Sequence, residues 1–118
     1  MNYQIRVAGV TAENRQKILQ ALATNPTLQM NMNSSALCFD LVPEPENKYD
    51  NKAVAVYLSK KYVVGYVPKG NILQEKVHSG IKFDVSGIVV GGQDGMNYGL
   101  ILNCKPKNDN EEVELKEV

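Results

Sequence analysis

A chain of 118 residues with 43% apolar and 22% charged side chains has the size and composition of one globular domain that builds a core without disulfide or metal staples. No apolar run approaches the roughly 18 residues of a membrane span, and no basic patch precedes a long apolar stretch at the N-terminus, so a cytoplasmic location is expected. The formal net charge is zero, yet residues 106–118 carry five acids against two lysines, which leaves residues 1–105 at plus three. A body this weakly basic permits contact with phosphates without demanding it. The expected division is a folded domain over residues 1–105 and a flexible acidic tail over 106–118.

Residues 3–10 alternate polar and apolar side chains and predict a first strand. Thr11, followed by Glu13, Asn14 and then Ile18, Leu19 and Leu22 at helical spacing, predicts an N-capped amphipathic helix over 12–23, stopped by Asn25-Pro26. Residues 29–35 are polar and read as a connector, and 35–42 as a second strand. A polar turn, Glu46-Asn47-Lys48-Tyr49-Asp50-Asn51-Lys52, then leads into the apolar run Ala53-Val54-Ala55-Val56-Tyr57. Residues 51–59 and 61–67 form a hairpin, broken by Pro68-Lys69-Gly70 ahead of a short helix over 71–78. Residues 81–90 and 98–105 give two more strands, joined by the turn Gly91-Gly92-Gln93-Asp94-Gly95. The sum is an α+β fold, mainly β, with about six strands and two helices: a small, partly open antiparallel barrel.

Cys38 and Cys104 are the two cysteines and His78 the single histidine, so a four-ligand zinc site of thiolates and imidazoles cannot be assembled within one chain. Both cysteines sit in apolar runs and read as small buried hydrophobes, and His78, near a helix end, as a surface or capping residue. The glycine-rich turn at 91–95 lacks the Lys-Ser/Thr that a phosphate-cradling loop requires. No nucleophile and base can be paired, so catalysis is not expected, and neither is a metal or other cofactor. Glu44, Glu46 and Asp50 lie in a turn where carboxylates cap backbone amides. Asp50 in particular is placed to accept from nearby N–H groups and lock the loop. Tyr49 in a solvent-facing turn either stacks on bases or folds over its own turn. Tyr66 and Lys69 end the returning strand, and with Asn47 and Tyr49 they would form a small site offering stacking and phosphate contacts.

Three blocks in order, Val7-Ala8-Gly9-Val10-Thr11 with Asn14-Arg15-Gln16, then residues 41–56, then Val64-Gly65-Tyr66-Val67-Pro68-Lys69, make the chain resemble the HIRAN domain over roughly residues 3–104. The resemblance implies an OB-like β-barrel that binds DNA. In members fused to remodelling helicases, the domain takes the 3′ end of single-stranded DNA with an aromatic clamp and a polar pocket for the terminal hydroxyl. By position, that motif's Asn, Tyr and Asp fall on Asn47, Tyr49 and Asp50, its phosphate-contacting lysine falls on Lys69, and Tyr66 stands where those members carry a histidine. Thr11-Ala12 replaces an Arg-aromatic pair, and the late-strand aromatic falls near Gly91. Arg15 is either a cation supplied from the helix start or a solvated helix residue.

The expected function is thus a non-catalytic DNA-binding module for single-stranded DNA or DNA ends, in a repair, replication or mobile-element context. Its site is Asn47, Tyr49, Asp50, Tyr66 and Lys69, with Arg15 and Lys48 as auxiliary cations. A homodimer and a helicase or nuclease partner protein are compatible with it. The alternative is a protein-interaction or homo-oligomerisation module in which an edge strand at 81–90 pairs with another chain.

Overall fold

Alternating side chains give β1 (Tyr3–Arg6), with Ile5 buried between exposed Gln4 and Arg6. The structure, a computed structural model, describes residues 2–107, so the acidic tail expected over 106–118 lies outside the described residues beyond Lys107. After Arg6 the chain changes partners. The Val7 amide donates to the Leu100 carbonyl at 2.9 Å, whereas Ala8 exchanges both backbone bonds with Tyr66 at 2.8 and 2.9 Å. Gly9, at φ +72°, then turns the chain away, which ends the ladder short of the expected Val10.

The first helix begins later than its sequence suggests. Residues 10–14 are turn, and α1 spans Arg15–Thr24. Glu13 sits at φ +52°, outside helical geometry, so Thr11 cannot cap a helix running through it. Leu19 and Leu22, three apart, bury one face of α1. Asn25 closes α1, its amide donating to Ala21, and opens α2 (Pro26–Asn31), its side-chain oxygen accepting from the Leu28 amide at 3.1 Å. Pro26 is at the first helical position, where its missing N–H costs nothing. Part of the expected connector is therefore a third helix.

The remaining elements follow the predicted order: β2 (Phe39–Pro43), β3 (Val54–Leu58), β4 (Tyr62–Tyr66), α3 (Ile72–His78), β5 (Phe83–Gly91) and β6 (Tyr98–Pro106). Asn71 caps α3 by accepting from the Leu73 amide at 2.9 Å. His78 does not sit free at the surface: it is half-buried, and its Nε2 lies 3.0 Å from the Ala53 carbonyl.

The six strands form two antiparallel three-stranded sheets, β1-β6-β5 and β2-β3-β4. Their apolar faces and the buried sides of α1 and α3 enclose one core that includes Val54, Val56, Val64, Leu73, Leu100 and Leu102. Cys104 is buried within it, and that burial pushes its thiol up to about 11; Cys38 is half-buried. The sheets join at one side through the Ala8–Tyr66 bridge. At the other side β2 and β5 form no ladder, and the Asn33 side chain takes up the backbone of Gly87, accepting from its amide at 2.8 Å and donating to its carbonyl at 3.1 Å. The result is a barrel left open along one seam.

Candidate nucleic-acid interface

Where the Ala8–Tyr66 bridge joins the sheets, the turn after β1, the 44–53 turn and the start of α3 converge on an open cleft of about 640 Å³. Its lining includes Arg15, Asn47, Tyr49, Asp50, Tyr66 and Lys69. Six of the seven residues expected from the sequence are therefore together, although they are drawn from three separate stretches of chain. Lys48 is exposed on the same turn but does not line the cleft.

Asn47 shapes the turn more than it faces a ligand. Its Oδ1 accepts from the backbone amides of Tyr49 and Asp50 at 2.9 and 3.1 Å, and its Nδ2 donates to Glu44 Oε1 at 2.9 Å. Side-chain bonds of this kind fix an Asx-type turn. They leave Tyr49 without cover, 91% exposed, so the ring is not folded over its own turn.

Asp50 locks the other half of the turn. Its Oδ1 accepts from the Lys52 amide at 3.0 Å, and its Oδ2 accepts from Gln74 Nε2 at 2.9 Å. These two bonds, the Lys52 amide foremost, hold its carboxyl below the ordinary 3.8, helped by the charges of Lys69 and Lys52. Gln74 Oε1 in turn accepts from the Gly70 amide at 2.9 Å, tying the loop that carries Lys69 to the loop that carries Asp50.

Tyr66 is a wall of the cleft. Its hydroxyl donates to Glu44 Oε1 at 3.0 Å, and its pKa is raised, chiefly by burial and then by that bond and the neighbouring carboxylate. The Arg15 guanidinium stacks over its ring at 5.5 Å, a cation–π contact. Arg15 is not a solvated helix residue: its side chain is 10% exposed, and its Nη1 donates to the Gly9 carbonyl at 2.8 Å. Glu44 does not cap backbone amides here. It receives two side-chain donors and joins the 44–53 turn to the end of β4.

Sequence reasoning missed Glu44, Gln74 and Gly9 as parts of this site. Gln74 carried a readable signal, because it lies three residues from Val77 and is a polar side chain on the buried side of α3. The Glu44 link to Tyr66 carried none, since it spans 22 residues, and Gly9 takes part through its backbone carbonyl, which no side-chain pattern announces. Among the described residues no cluster of potential ligands for a metal ion is present, and no helix is long and apolar enough to cross a membrane. A second groove of about 450 Å³ opens between β2 and the start of β5, and none of the predicted residues lines it.

No curated protein matches the chain. A crystal structure of a protein from Lactobacillus plantarum superposes with a TM-score of 0.52 at 18% identity, covering 88% of this chain and 97% of that one. At that identity the likeness is one of fold alone. The family model for the HIRAN domain matches residues 38–105, a span containing the Asn47-to-Lys69 side of the cleft and five of the six strands complete to within one residue. The chain thus belongs to the HIRAN domain family, in general a family of DNA-binding modules, and is a nucleic-acid-binding domain.

Proposed function

We propose that the protein is a non-catalytic module for single-stranded DNA or DNA ends, acting in the cytoplasm in a repair, replication or mobile-element context. The observation that carries this reading is Tyr49: a ring 91% exposed, on a turn fixed by side-chain bonds, at a cleft that also presents Lys69 and Arg15. A pre-set aromatic platform beside cations is what an unpaired strand needs, because any base can stack on it while its phosphates meet the positive charge. Asn47 and Asp50 support the reading as the frame that holds the platform.

The test is fluorescence-anisotropy titration of short single strands with free or blocked 3′ ends, against blunt duplex, at two salt concentrations. Tyr49→Ala is expected to weaken single-strand binding by about tenfold or more, in line with the roughly 1–3 kcal/mol of one stacked base. Its melting temperature is expected to stay unchanged, since the ring packs on nothing. Loss of affinity on blocking the 3′ hydroxyl would place an end-recognition site in the cleft. Equal affinity for all forms, or none, would sink the single-strand reading. The alternative of self-association has one favourable observation: β5 is an edge strand with Ile88 60% exposed. Sedimentation equilibrium decides it.

A further inference from the structure

We propose that Arg15 is the phosphate receptor of the cleft and that the Glu13 carboxylate occupies its place until a phosphate displaces it. This rests on the nucleic-acid reading of the same cleft. A guanidinium offers five N–H donors in a fixed fork. Here Nη1 is engaged by Gly9, and the Nε group is fully buried with no hydrogen-bond partner among the described residues. Among the described residues the nearest opposite charge is Glu13 Oε1 at 4.0 Å from Nη2, long for an ion pair, on a side chain 77% exposed. A guanidinium nine-tenths out of water with so loose a counter-ion is poorly compensated.

The surroundings favour an anion more strongly than that one carboxylate. Arg15 opens a ten-residue helix that has no side-chain cap bond and no acid in its first turn, so the positive end of the helix adds to the charge of the fork. Lys69 lines the same cleft. Glu13 reaches Arg15 from a backbone at φ +52°, a left-handed conformation that glutamate rarely adopts. A carboxylate held in a disfavoured turn against a half-satisfied cation is poised to leave when a better anion arrives. The ligand group is a phosphate oxygen of a strand whose base stacks on Tyr49, and the latch sets a threshold against weak anions.

The test compares the full chain with Glu13→Gln, with Arg15→Lys, with the double variant, and with Asp84→Asn. The last makes the same change in net charge at an exposed site that pairs with Lys107. Two probes are used: inorganic phosphate, followed at the Arg15 Nε–H resonance by NMR, and a labelled single-stranded oligonucleotide, followed by anisotropy over a range of salt. Phosphate is expected to move the Arg15 resonance. Glu13→Gln is expected to tighten both probes by roughly threefold beyond Asp84→Asn, the scale of an exposed ion pair. It should also steepen the salt dependence by up to about 0.7, one phosphate contact on a single strand. The double variant should lose that gain, because lysine lacks the fork. An Arg15 resonance unmoved by phosphate, or a Glu13→Gln gain no larger than that of Asp84→Asn, overturns the inference even if DNA binds. A phosphate response tightened by Glu13→Gln in a protein that binds no DNA leaves the receptor standing and removes the DNA reading.

Discussion

Asp50 shows how one side chain that lines the cleft also holds the cleft's frame. Its carboxylate keeps the Lys52 amide and Gln74 satisfied together, and its pKa is lowered by those bonds. A depressed carboxylate stabilises the fold above its unfolded value, here 3.8, and that stability is lost as pH falls through the folded pKa. Asp50→Asn offers one oxygen where two are used, so it is expected to lower the melting temperature at neutral pH. The gap to the unaltered protein should narrow as the pH falls from 3.8 through the lowered folded pKa, below which both side chains are neutral. Thermal melts across the acid range check this. Asp50 as a turn lock was legible because one of its donors, the Lys52 amide, is local, two residues along the chain. Its bond to Gln74, 24 residues away, was not, and neither was the burial of Arg15, which depends on Tyr66 packing against a helix start from the other sheet.

At the scale of elements, the junction of the two sheets turns on Gly65 in β4. A Cβ there would lie 2.3 Å from Val7 Cγ1 and 2.5 Å from the Ala8 carbonyl oxygen, closer than backbone and side chain can approach. Gly65→Ala is expected to push β1 off β4, break the Ala8–Tyr66 pair and cost about 1–3 kcal/mol, the usual range for overpacking. A denaturant melt measures the loss, and weaker DNA binding should accompany it, because Gly9 and Arg15 move with the displaced segment. The succession of strands along the chain and α3 could be read from period-two and helical patterning, since those signals are local. The start of α1 was misplaced because Thr11 has the chemistry of a cap while Glu13 breaks the helical path. Helix α2 was missed because Asn25-Pro26 reads as a stop, although the same pair can start a new helix.

For the molecule as a whole, charge is spread unevenly along the sequence. Residues 108–118 hold five acids and one lysine, so removing them takes the net charge from zero to plus four. Truncation after Lys107 is expected to tighten nucleic-acid binding at low salt for every sequence alike, and to lose that advantage as salt screens the field; the same anisotropy titrations measure it. The partly open barrel was legible as a class from the count of strands and turns. Its division into two sheets was not, because it depends on where Val7 and Ala8 change partners. That register also sets an order in time. Tyr3 pairs with Cys104 and Ile5 with Leu102, so during synthesis β1 finds its partner only when β6 has been made. Until then Ile5 and Val7 have no sheet to cover them, and a contact spanning nearly the whole chain is among the slowest to close. The cleft, which needs the turn after that strand, is finished last.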